Sequence, residues 1–419
     1  MKNIAIIGSG ISGLTAAYLL SKKHNVTVFE KNDRIGGHTA TVDIEKNGEE
    51  FAIDTGFIVF NDKTYPNFLA LLSEIGIGKQ ATEMSFSVHN CQTGMEYNGH
   101  NLNTLFAQRR NLFRPKFWML VKEILRFNKL CKGIFETQGY QSGLTLGCFL
   151  SQNHFSDYFA EHYILPMGAA IWSSSLAQME DFEFRFFVQF FHNHGLLNIA
   201  DRPQWYVIPN GSRSYLAPLC EPFKNNIRLN GNINGISRDN GKVQLDFNQE
   251  QSEIFDEVVI TCHSDEALAL LNDASLEESR ILSAMPYSEN SVVLHTDKKL
   301  LPQREKAWAS WNYQLSQDRN KAASVTYNMN ILQGIKSHHT FCVTLNQKDD
   351  IAPNSILKEF TYHHPIFSAD SIAAQQQRNK ICGIKQTHYA GAYWHNGFHE
   401  DGVRSAVEVA KRFDCFLES

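Results

Sequence analysis

The sequence predicts an α/β protein of two interleaved domains, one built around a parallel sheet and one of α+β type. Three observations support this fold class. The chain opens with an apolar strand, a glycine-rich turn and a helix within residues 4–21. Aromatic-rich helical segments follow between residues 76 and 204, and a second strand, turn and helix close the chain at residues 388–413. A chain of 419 residues is also too long for one compact core and suits two intertwined domains.

The domain boundaries follow from these changes of pattern. We expect the first domain to contain residues 1–75, 205–265 and 385–419, and the second to contain residues 76–204 and 266–384. Strand candidates such as S-V-V-L-H-T and F-C-V-T-L-N occur in the last of these segments and predict a mixed or antiparallel sheet in the second domain.

The opening turn has the spacing G-x-G-x-x-G, from Gly8 through Gly10 to Gly13. Gly8 makes the tight turn, Gly10 removes a side chain where a pyrophosphate must approach, and Gly13 lets the next helix pack on the strand. That helix, predicted over residues 11–21, directs free N–H groups and a positive dipole end at the phosphates. The next apolar run ends at Glu30, which is expected to accept hydrogen bonds from ribose hydroxyls. This order of elements predicts a dinucleotide site.

Residues just after Glu30 indicate which dinucleotide binds. Arg34, Gly36 and Gly37 form an R-x-G-G stretch. It resembles the stretch that follows the ribose-binding acid in the flavin-containing amine oxidase superfamily, which includes protoporphyrinogen oxidases and carotenoid desaturases. The resemblance implies FAD and a Rossmann-like FAD-binding domain of the amine oxidase type. The superfamily more often has Arg or Lys where His38 stands, so this departure removes a fixed charge.

The resemblance extends over essentially the whole chain. The D-T-G segment that contains Gly56 is similar to one that approaches the flavin, and Ile236 stands near a position that holds the adenine by backbone contacts. Residues 388–413 resemble the superfamily's closing motif, whose helix begins against the flavin and stabilises negative charge there. Asp401 in its first turn is open to two interpretations, a helix cap or a flavin contact. Relatives with covalent flavin have cysteine in an S-G-G-C-Y setting that this chain lacks, so non-covalent FAD is expected.

The expected cofactor-binding residues come from the opening turn, the stretch after it, two middle segments and the closing motif. They are Gly8, Gly10, Ile11, Ser12, Gly13, Glu30, Lys31, Arg34, Gly36, Gly37, His38, Gly56, Ile236, Gly391, Asp401, Gly402 and Val403.

The aromatic-rich second domain predicts a pocket for a sizeable apolar substrate, with Trp172, His363, His364 and Phe398 as candidate wall residues. Phe398 stands where monoamine-oxidase-like relatives have a cage tyrosine. His363 and His364 could also suggest a metal, but no third ligand lies at metal spacing, and we expect none. The sequence assigns no catalytic acid or base, since a flavin itself accepts the hydride.

Three function classes follow. The first is an FAD-dependent oxidoreductase, because L-P-M-G-A-A-I-W and G-F-H-E-D-G resemble a bacterial amine-oxidase-like subgroup that often accompanies cyclopropane fatty-acid synthase-like enzymes. That association implies a lipid acyl substrate, with a small amine as the enzymatic alternative. A lipid carrier like the Rab GDP-dissociation inhibitors shares the architecture without flavin. The third class, a nicotinamide dehydrogenase, would need a second G-x-G-x-x-G motif, and this chain has none.

Composition limits the location and partners. A net charge of −5 gives no reason to expect nucleic acid binding, and eight cysteines without a C-x-x-C pair favour the reducing cytosol. A strand near residue 3 leaves no room for a signal peptide, so a cytoplasmic protein of unknown oligomeric state is expected.

One basic stretch complicates that picture. Residues 109–132 carry eight cations and one acid, Glu123, and apolar residues recur with helical spacing from Pro115. Such a helix could lie on the inner, anionic membrane surface, or pack its apolar face on the second domain.

Overall fold

The computed structural model describes residues 1–141, 143–199, 201–248, 251–316 and 318–418. In chain order the strands are β1 (Asn3–Ile7), β2 (Asn25–Phe29), β3 (Thr41–Lys46), β4 (Glu49–Asp54), β5 (Val59–Asn61), β6 (Gln80–Thr82), β7 (Phe86–Asn90), β8 (Met95–Asn98), β9 (Trp205–Val207), β10 (Ile227–Arg228), β11 (Ile233–Asp239), β12 (Lys242–Phe247), β13 (Ser252–Phe255), β14 (Glu257–Ile260), β15 (Tyr287–His295), β16 (Trp311–Gln314), β17 (Val325–Asn328), β18 (Cys342–Leu345), β19 (Ile356–Pro365) and β20 (Thr387–Tyr389).

The α-helices are α1 (Ile11–Ser21), α2 (Pro66–Glu74), α3 (Leu102–Leu105), α4 (Pro115–Thr137), α5 (Leu146–Gln152), α6 (Asp157–Phe159), α7 (Leu165–Trp172), α8 (Leu176–Glu180), α9 (Phe184–Asn193), α10 (Leu216–Cys220), α11 (Ser264–Leu270), α12 (Leu276–Ser283), α13 (Met329–Leu332), α14 (Ala369–Gln375) and α15 (His399–Ala410). Short 3₁₀ turns lie between several of them, and a π-helical turn, Ala160–Ile164, joins α6 to α7.

A parallel five-stranded sheet, in the order β10-β2-β1-β14-β20, organises the first domain. α1 begins at Ile11 and ends at Ser21, as the sequence predicts. β20, near the end of the chain, pairs with β14, which pairs with β1, and α15 packs on α1. This confirms the predicted fold class, with a Rossmann-like sheet completed by the closing segment.

A seven-stranded sheet organises the second domain, in the order β19-β15-β18-β17-β16-β7-β8. Its pairs are antiparallel except β16 with β7, so the sheet is mixed, as the sequence predicts. β7 and β8 precede the helical segment in the chain and β15 to β19 follow it. The helices from α3 to α9 are therefore carried as an insertion between strands of one sheet.

The inserted helices pack through an aromatic core. Phe127 on α4 is fully buried, with its ring centroid 6.0 Å from that of Phe149 and 5.5 Å from that of Phe159. α4 begins at Pro115, where the sequence places it. None of the helices in the described part of the chain is both long and apolar enough to cross a membrane.

Two segments that we expected in the second domain pack instead on the first domain. Ala267 and Ile281, on α11 and α12, belong to the buried cluster of the parallel sheet, as do Ala374 and Ile381. We expected residues 266–384 to lie wholly in the second domain. These short amphipathic segments bury only one apolar stripe each, and such a stripe does not indicate which of two neighbouring sheets it will cover.

Candidate active site

One continuous cavity of about 1270 Å³ joins the two domains. Part of its wall lies at the carboxyl ends of β1, β2, β14 and β20, which we call the cofactor half. The rest, the substrate half, is formed by the mixed sheet and by α7 and α9. Ligands of open parallel sheets bind at carboxyl ends of strands. The volume exceeds the roughly 300–1,000 Å³ of an ordinary small-ligand pocket, so it can hold a dinucleotide and a second ligand.

The opening glycines have distinct local roles. Gly8 has a φ of +99°, and a Cβ on Gly13 would lie 2.0 Å from the carbonyl oxygen of Gly8. A Cβ on Gly10, in contrast, meets no atom within 4 Å, and Gly10 lines the cavity. α1 begins here with no side-chain cap, so its first N–H groups are available to a ligand. Together with Ile11 and Ser12, Gly10 forms a cradle for an anionic group.

Glu30 lines the cavity as a fixed acceptor. One carboxylate oxygen accepts hydrogen bonds from Ser9 N at 3.1 Å and Ser9 Oγ at 2.6 Å, and the other accepts one from Asn32 N at 2.9 Å. Its neighbour Lys31 forms an ion pair with Glu266. The second oxygen of Glu30 also accepts a hydrogen bond from Asn32 Nδ2 at 2.7 Å, so a ribose hydroxyl group would bind Glu30 by displacing one of the side-chain donors.

The loop after Glu30 is shaped by two glycines, Gly36 and Gly37, at φ +108° and +56°. Arg34 donates to the carbonyl oxygen of Gly37 at 3.0 Å, which holds the loop against the cavity. His38 Nε2 is buried and has no hydrogen-bond partner among the described residues. Burial lowers the pKa of His38 to about 3, so it supplies no positive charge near neutral pH. Gly56 packs on this loop, since a Cβ there would lie 2.2 Å from the carbonyl oxygen of His38.

These features fit FAD. The open space beside Gly10, the uncapped helix and the buried acceptor match a phosphate group and a ribose, and His38, whose Nε2 has no partner among the described residues, also lines the cavity. Bound FAD would be held by residues of α1, Glu30 and the loop from Arg34 to His38.

Ile236 does not form part of the cavity wall. It is fully buried in the core of the first domain, and its carbonyl oxygen accepts a hydrogen bond from Asn272 N at 3.0 Å. The wall here is formed by Asn232, Ile233 and Asn234 at the start of β11. The pairing of β11 with β12 is irregular between Ile233 and Gly235. An irregularity of this kind changes which residues of a strand face the cavity, and the sequence pattern does not reveal it.

The closing motif contributes fewer wall residues than expected. Gly391 lines the cavity, whereas Gly402 and Val403 are buried behind it. A Cβ on Gly402 would lie 2.7 Å from Ile11 Cγ2, so this glycine allows α15 to pack on α1. Asp401 accepts a hydrogen bond from Phe398 N at 2.9 Å, which is the capping role. Gly13 likewise lies outside the wall and serves helix packing.

The four candidate substrate residues all line the cavity. Trp172 on α7 packs against Phe182 and Phe190, with ring centroids 4.5 and 4.9 Å apart. Phe398 stacks on Phe190 at 5.0 Å. This contact joins the start of α15 to α9, so the closing motif reaches both halves of the cavity.

His363 and His364 lie at the end of β19. His364 Nδ1 lies 3.0 Å from Ser173 Oγ, and burial lowers the pKa of His364 to about 4. Burial also lowers the pKa of His194, another wall residue, to about 4. Both rings are therefore uncharged near neutral pH and add no charge to the substrate half.

Other wall residues were not identified from the sequence. The substrate half also contains Phe86, Tyr97, Tyr163, Met167, Trp311, Tyr327 and Phe367. In the cofactor half, Thr261 at the end of β14 donates to the carbonyl oxygens of Ile7 and Gly8 at 2.7 and 3.0 Å. In the sequence, Thr261 could have been identified only from its position directly after the apolar run that returns to the parallel sheet. His399 also lines the cavity, and only its place in the closing motif pointed to it.

Comparison with known proteins agrees with this geometry. Residues 11–332 match the family of flavin containing amine oxidoreductases. An L-amino-acid oxidase of Bothrops jararacussu is 48% identical over 48 residues, which are 11% of this chain and 10% of that protein. Amine oxidase A of Equus caballus is 40% identical over 78 residues, 18% of this chain and 14% of that protein. The chain thus covers a small part of each of these curated relatives.

Solved structures match over nearly the whole chain. A CLA-producing fatty acid isomerase from P. acnes has a TM-score of 0.70 at 16% identity, covering 98% of both chains. A cyclohexylamine oxidase from Brevibacterium oxydans has a TM-score of 0.69 at 14% identity, covering 99% of both chains. These likenesses establish the fold, and the family match covers most of the sequence. The chain therefore belongs to the family of flavin-containing amine oxidoreductases.

Proposed function

We propose that the protein is an FAD-dependent oxidoreductase that oxidises a C–H bond of an apolar substrate, such as a lipid acyl chain. The observation that carries the proposal is the continuity of one cavity from the cradle at Gly10 to the aromatic wall of the substrate half. A bound flavin would accept the hydride, so no side chain of the protein has to carry out the redox step.

The residues of the chain would bind, orient and exclude water. Trp172 and Phe398 lie on adjoining parts of the wall and can hold an extended apolar group. The neutral rings of His194 and His364 add hydrogen-bonding atoms without charge. The acids that line the cavity, Glu30, Asp33 and Glu266, belong to the cofactor half.

The first experiment tests cofactor and substrate together. Purified protein should show a flavin absorption spectrum, and denaturation should release FAD, since no covalent attachment is proposed. Anaerobic titration with unsaturated and saturated fatty acids, phospholipids and amines should bleach the spectrum only with lipids. A protein without flavin would favour a lipid carrier, and bleaching by amines alone would refute the lipid substrate.

An amine substrate is the alternative, and the stacked pair Phe190 and Phe398 favours it. The ring of Phe398 lines the cavity and is backed by Phe190, so it can form one aromatic wall beside an amine-bearing carbon. The substrate half, however, contains no carboxylate among the described residues of its wall, so a protonated amine would lack a counter-ion. The amine arm of the titration decides between the two substrates.

We also propose that the protein is cytoplasmic and docks on anionic membranes through α4 and the turn before it. Exposed cations and exposed apolar side chains share this surface, which we call the basic face. It comprises Arg109, Arg110, Phe113, Arg114, Lys116, Trp118, Met119, Lys122, Leu125 and Lys129.

The burial pattern supports a membrane rather than a protein core as the partner of this face. Phe113 is 86% exposed and Trp118 is 48% exposed, whereas Phe117, Leu120 and Phe127 on the opposite side of the helix are buried. The cations of the basic face form no ion pairs within the described chain. The acid of the stretch, Glu123, is buried and accepts from Ser156 N at 2.9 Å. Basic, amphipathic helices with exposed aromatic side chains bind anionic interfaces.

Vesicle sedimentation tests this surface. Wild-type protein should bind phosphatidylglycerol vesicles and not phosphatidylcholine vesicles, and Lys116→Glu with Lys122→Glu should abolish binding. Phe113→Ala should weaken it, whereas Leu276→Ala should not, because Leu276 is an equally exposed apolar side chain on α12 of the first domain. Equal binding of both vesicle types would contradict the proposal.

A further inference from the structure

A buried chain of hydrogen bonds ends at the cavity wall. Thr39 Oγ1 is hydrogen-bonded to Tyr215 OH, and Tyr215 OH lies 2.8 Å from Nε2 of His399. Tyr215 is fully buried and Thr39 is 1% exposed. The three residues come from the loop after Glu30, the turn before α10 and the first position of α15. The contact therefore links three distant parts of the chain at one point of the cavity.

The buried hydroxyl groups determine the direction of these hydrogen bonds. Tyr215 is the hydrogen-bond partner that the structure shows for Thr39 Oγ1 within the described residues, and donation from the Thr39 hydroxyl to Tyr215 is the direction that leaves neither hydroxyl proton without an acceptor in the chain. Tyr215 then donates its own proton to His399 Nε2. Since Nε2 is the acceptor, a neutral imidazole carries its proton on Nδ1.

His399 is held as a neutral ring. Burial lowers its pKa well below the ordinary value. Phe57 stacks on the ring with centroids 3.6 Å apart and planes 7° apart, so the ring cannot turn freely. His399 lines the cavity, and its Nδ1 has no hydrogen-bond partner among the described residues. A fixed N–H donor is thus available at the N-terminus of α15.

From this arrangement we propose that Thr39, Tyr215 and His399 form a positioning relay that presents the Nδ1–H of His399 to the flavin and sets its reduction potential. The inference rests on FAD binding as proposed above. Reduction adds two electrons and at least one proton to a flavin and leaves negative charge on the ring system when a second proton is not taken up. A donor fixed in advance stabilises that charge without reorganisation. The adjacent dipole of α15 acts in the same direction.

Potentiometric titration of the holoprotein with dithionite as the electron donor tests the relay without any substrate. Tyr215→Phe removes the group that fixes the proton on Nδ1. We expect the equilibrium constant for two-electron reduction to fall about tenfold, which is about 30 mV. Tyr206→Phe is the matched control, since the Tyr206 hydroxyl makes no hydrogen bond within the described chain and its strand, β9, lies outside the relay.

Two substitutions of His399 identify the nitrogen. Asparagine places an amide donor near the position of Nδ1, whereas glutamine places it near Nε2. His399→Asn should therefore keep the wild-type reduction potential. His399→Gln should lower the equilibrium constant for two-electron reduction about tenfold, which lowers the potential by about 30 mV. If Tyr215→Phe releases the flavin, the comparison of His399→Asn with His399→Gln decides by itself whether the Nδ1–H of His399 sets the reduction potential.

The outcomes separate the two proposals. Wild-type protein that contains no flavin would refute the proposed function. A flavoprotein whose potential is the same in the wild type, Tyr215→Phe and His399→Gln would overturn the relay and leave the proposed function standing. A lower potential in His399→Asn but not in His399→Gln would overturn the assignment of Nδ1.

Discussion

The two halves of the cavity are built in different ways. The cofactor half depends on backbone shape: Gly8, Gly36 and Gly37 adopt positive φ angles, and Gly10 leaves open space. The substrate half depends on side-chain packing between segments far apart in sequence, such as Trp172 and Phe398. Backbone shape is encoded over a few neighbouring residues, whereas packed walls are assembled by the whole fold. A short motif can therefore predict the backbone shape of the first kind of site, whereas the sequence suggests candidates for the second without showing which of them pack together.

The largest expected effect breaks the cofactor half alone. Gly10→Val places a branched side chain in the open cradle without meeting any protein atom at its Cβ. We expect the protein to fold and FAD affinity to fall more than about 100-fold, as close phosphate approach is blocked. Flavin content and apoprotein melting temperature measure this. Gly78→Val, where a Cβ also meets no atom within 4 Å, should retain FAD. Retained flavin in Gly10→Val would place the pyrophosphate elsewhere.

The next effect separates packing from binding within the same motif. Gly13→Ala forces a Cβ to within 2.0 Å of the Gly8 carbonyl oxygen, so we expect the free energy of unfolding to fall by about 2 kcal/mol or more. Gly133→Ala, at an exposed position near the C-terminal end of α4, should instead raise stability by about 0.5–1 kcal/mol. Urea denaturation of the apoproteins compares them. Equal effects at both sites would contradict the packing role of Gly13.

A third prediction concerns Asp401, which caps α15 behind the wall of the cofactor half. Burial raises the pKa of Asp401 from 3.8 to about 7. The folded state therefore binds a proton that the unfolded state has released, and this group makes the protein less stable as pH rises from about 4 to 7. Asp401→Asn removes that dependence. Relative to the wild type, the variant should gain about 2 kcal/mol between pH 5 and 8, measured by denaturation. A constant difference across this range would contradict the raised pKa.

The smallest effect breaks the substrate half alone. Phe398→Ala removes the ring that stacks on Phe190, so we expect fatty acid affinity to fall about tenfold, near 1.4 kcal/mol, while FAD is retained. Titration followed by flavin absorbance measures both. Phe416→Ala, at an exposed position outside the cavity wall, is the control. Loss of FAD in Phe398→Ala would show that the two halves are not separable.

Predictions from the sequence were most accurate where local rules decide. β1, α1 and the start of α4 lie where their patterns place them, because strand length, glycine spacing and Pro115 act on neighbouring residues. Ile236, which the resemblance placed among the cofactor-binding residues, lies outside the cavity wall, beside an irregular pairing of β11 with β12 that the sequence pattern does not show. Gly402 was assigned to the flavin although it serves α1, since a small residue suits either contact.

The sequence alone predicted a dinucleotide site near the N-terminus, and it determined the flavin-containing family and the α/β architecture with a substrate domain. These properties depend on short motifs whose backbone geometry few other residue types can adopt. Only the tertiary structure decided that Thr39, Tyr215 and His399 meet, that four candidate residues share one wall, and that His38 is buried and neutral. The physical reason is that contact, burial and dielectric environment depend on segments hundreds of residues apart, which no local pattern specifies.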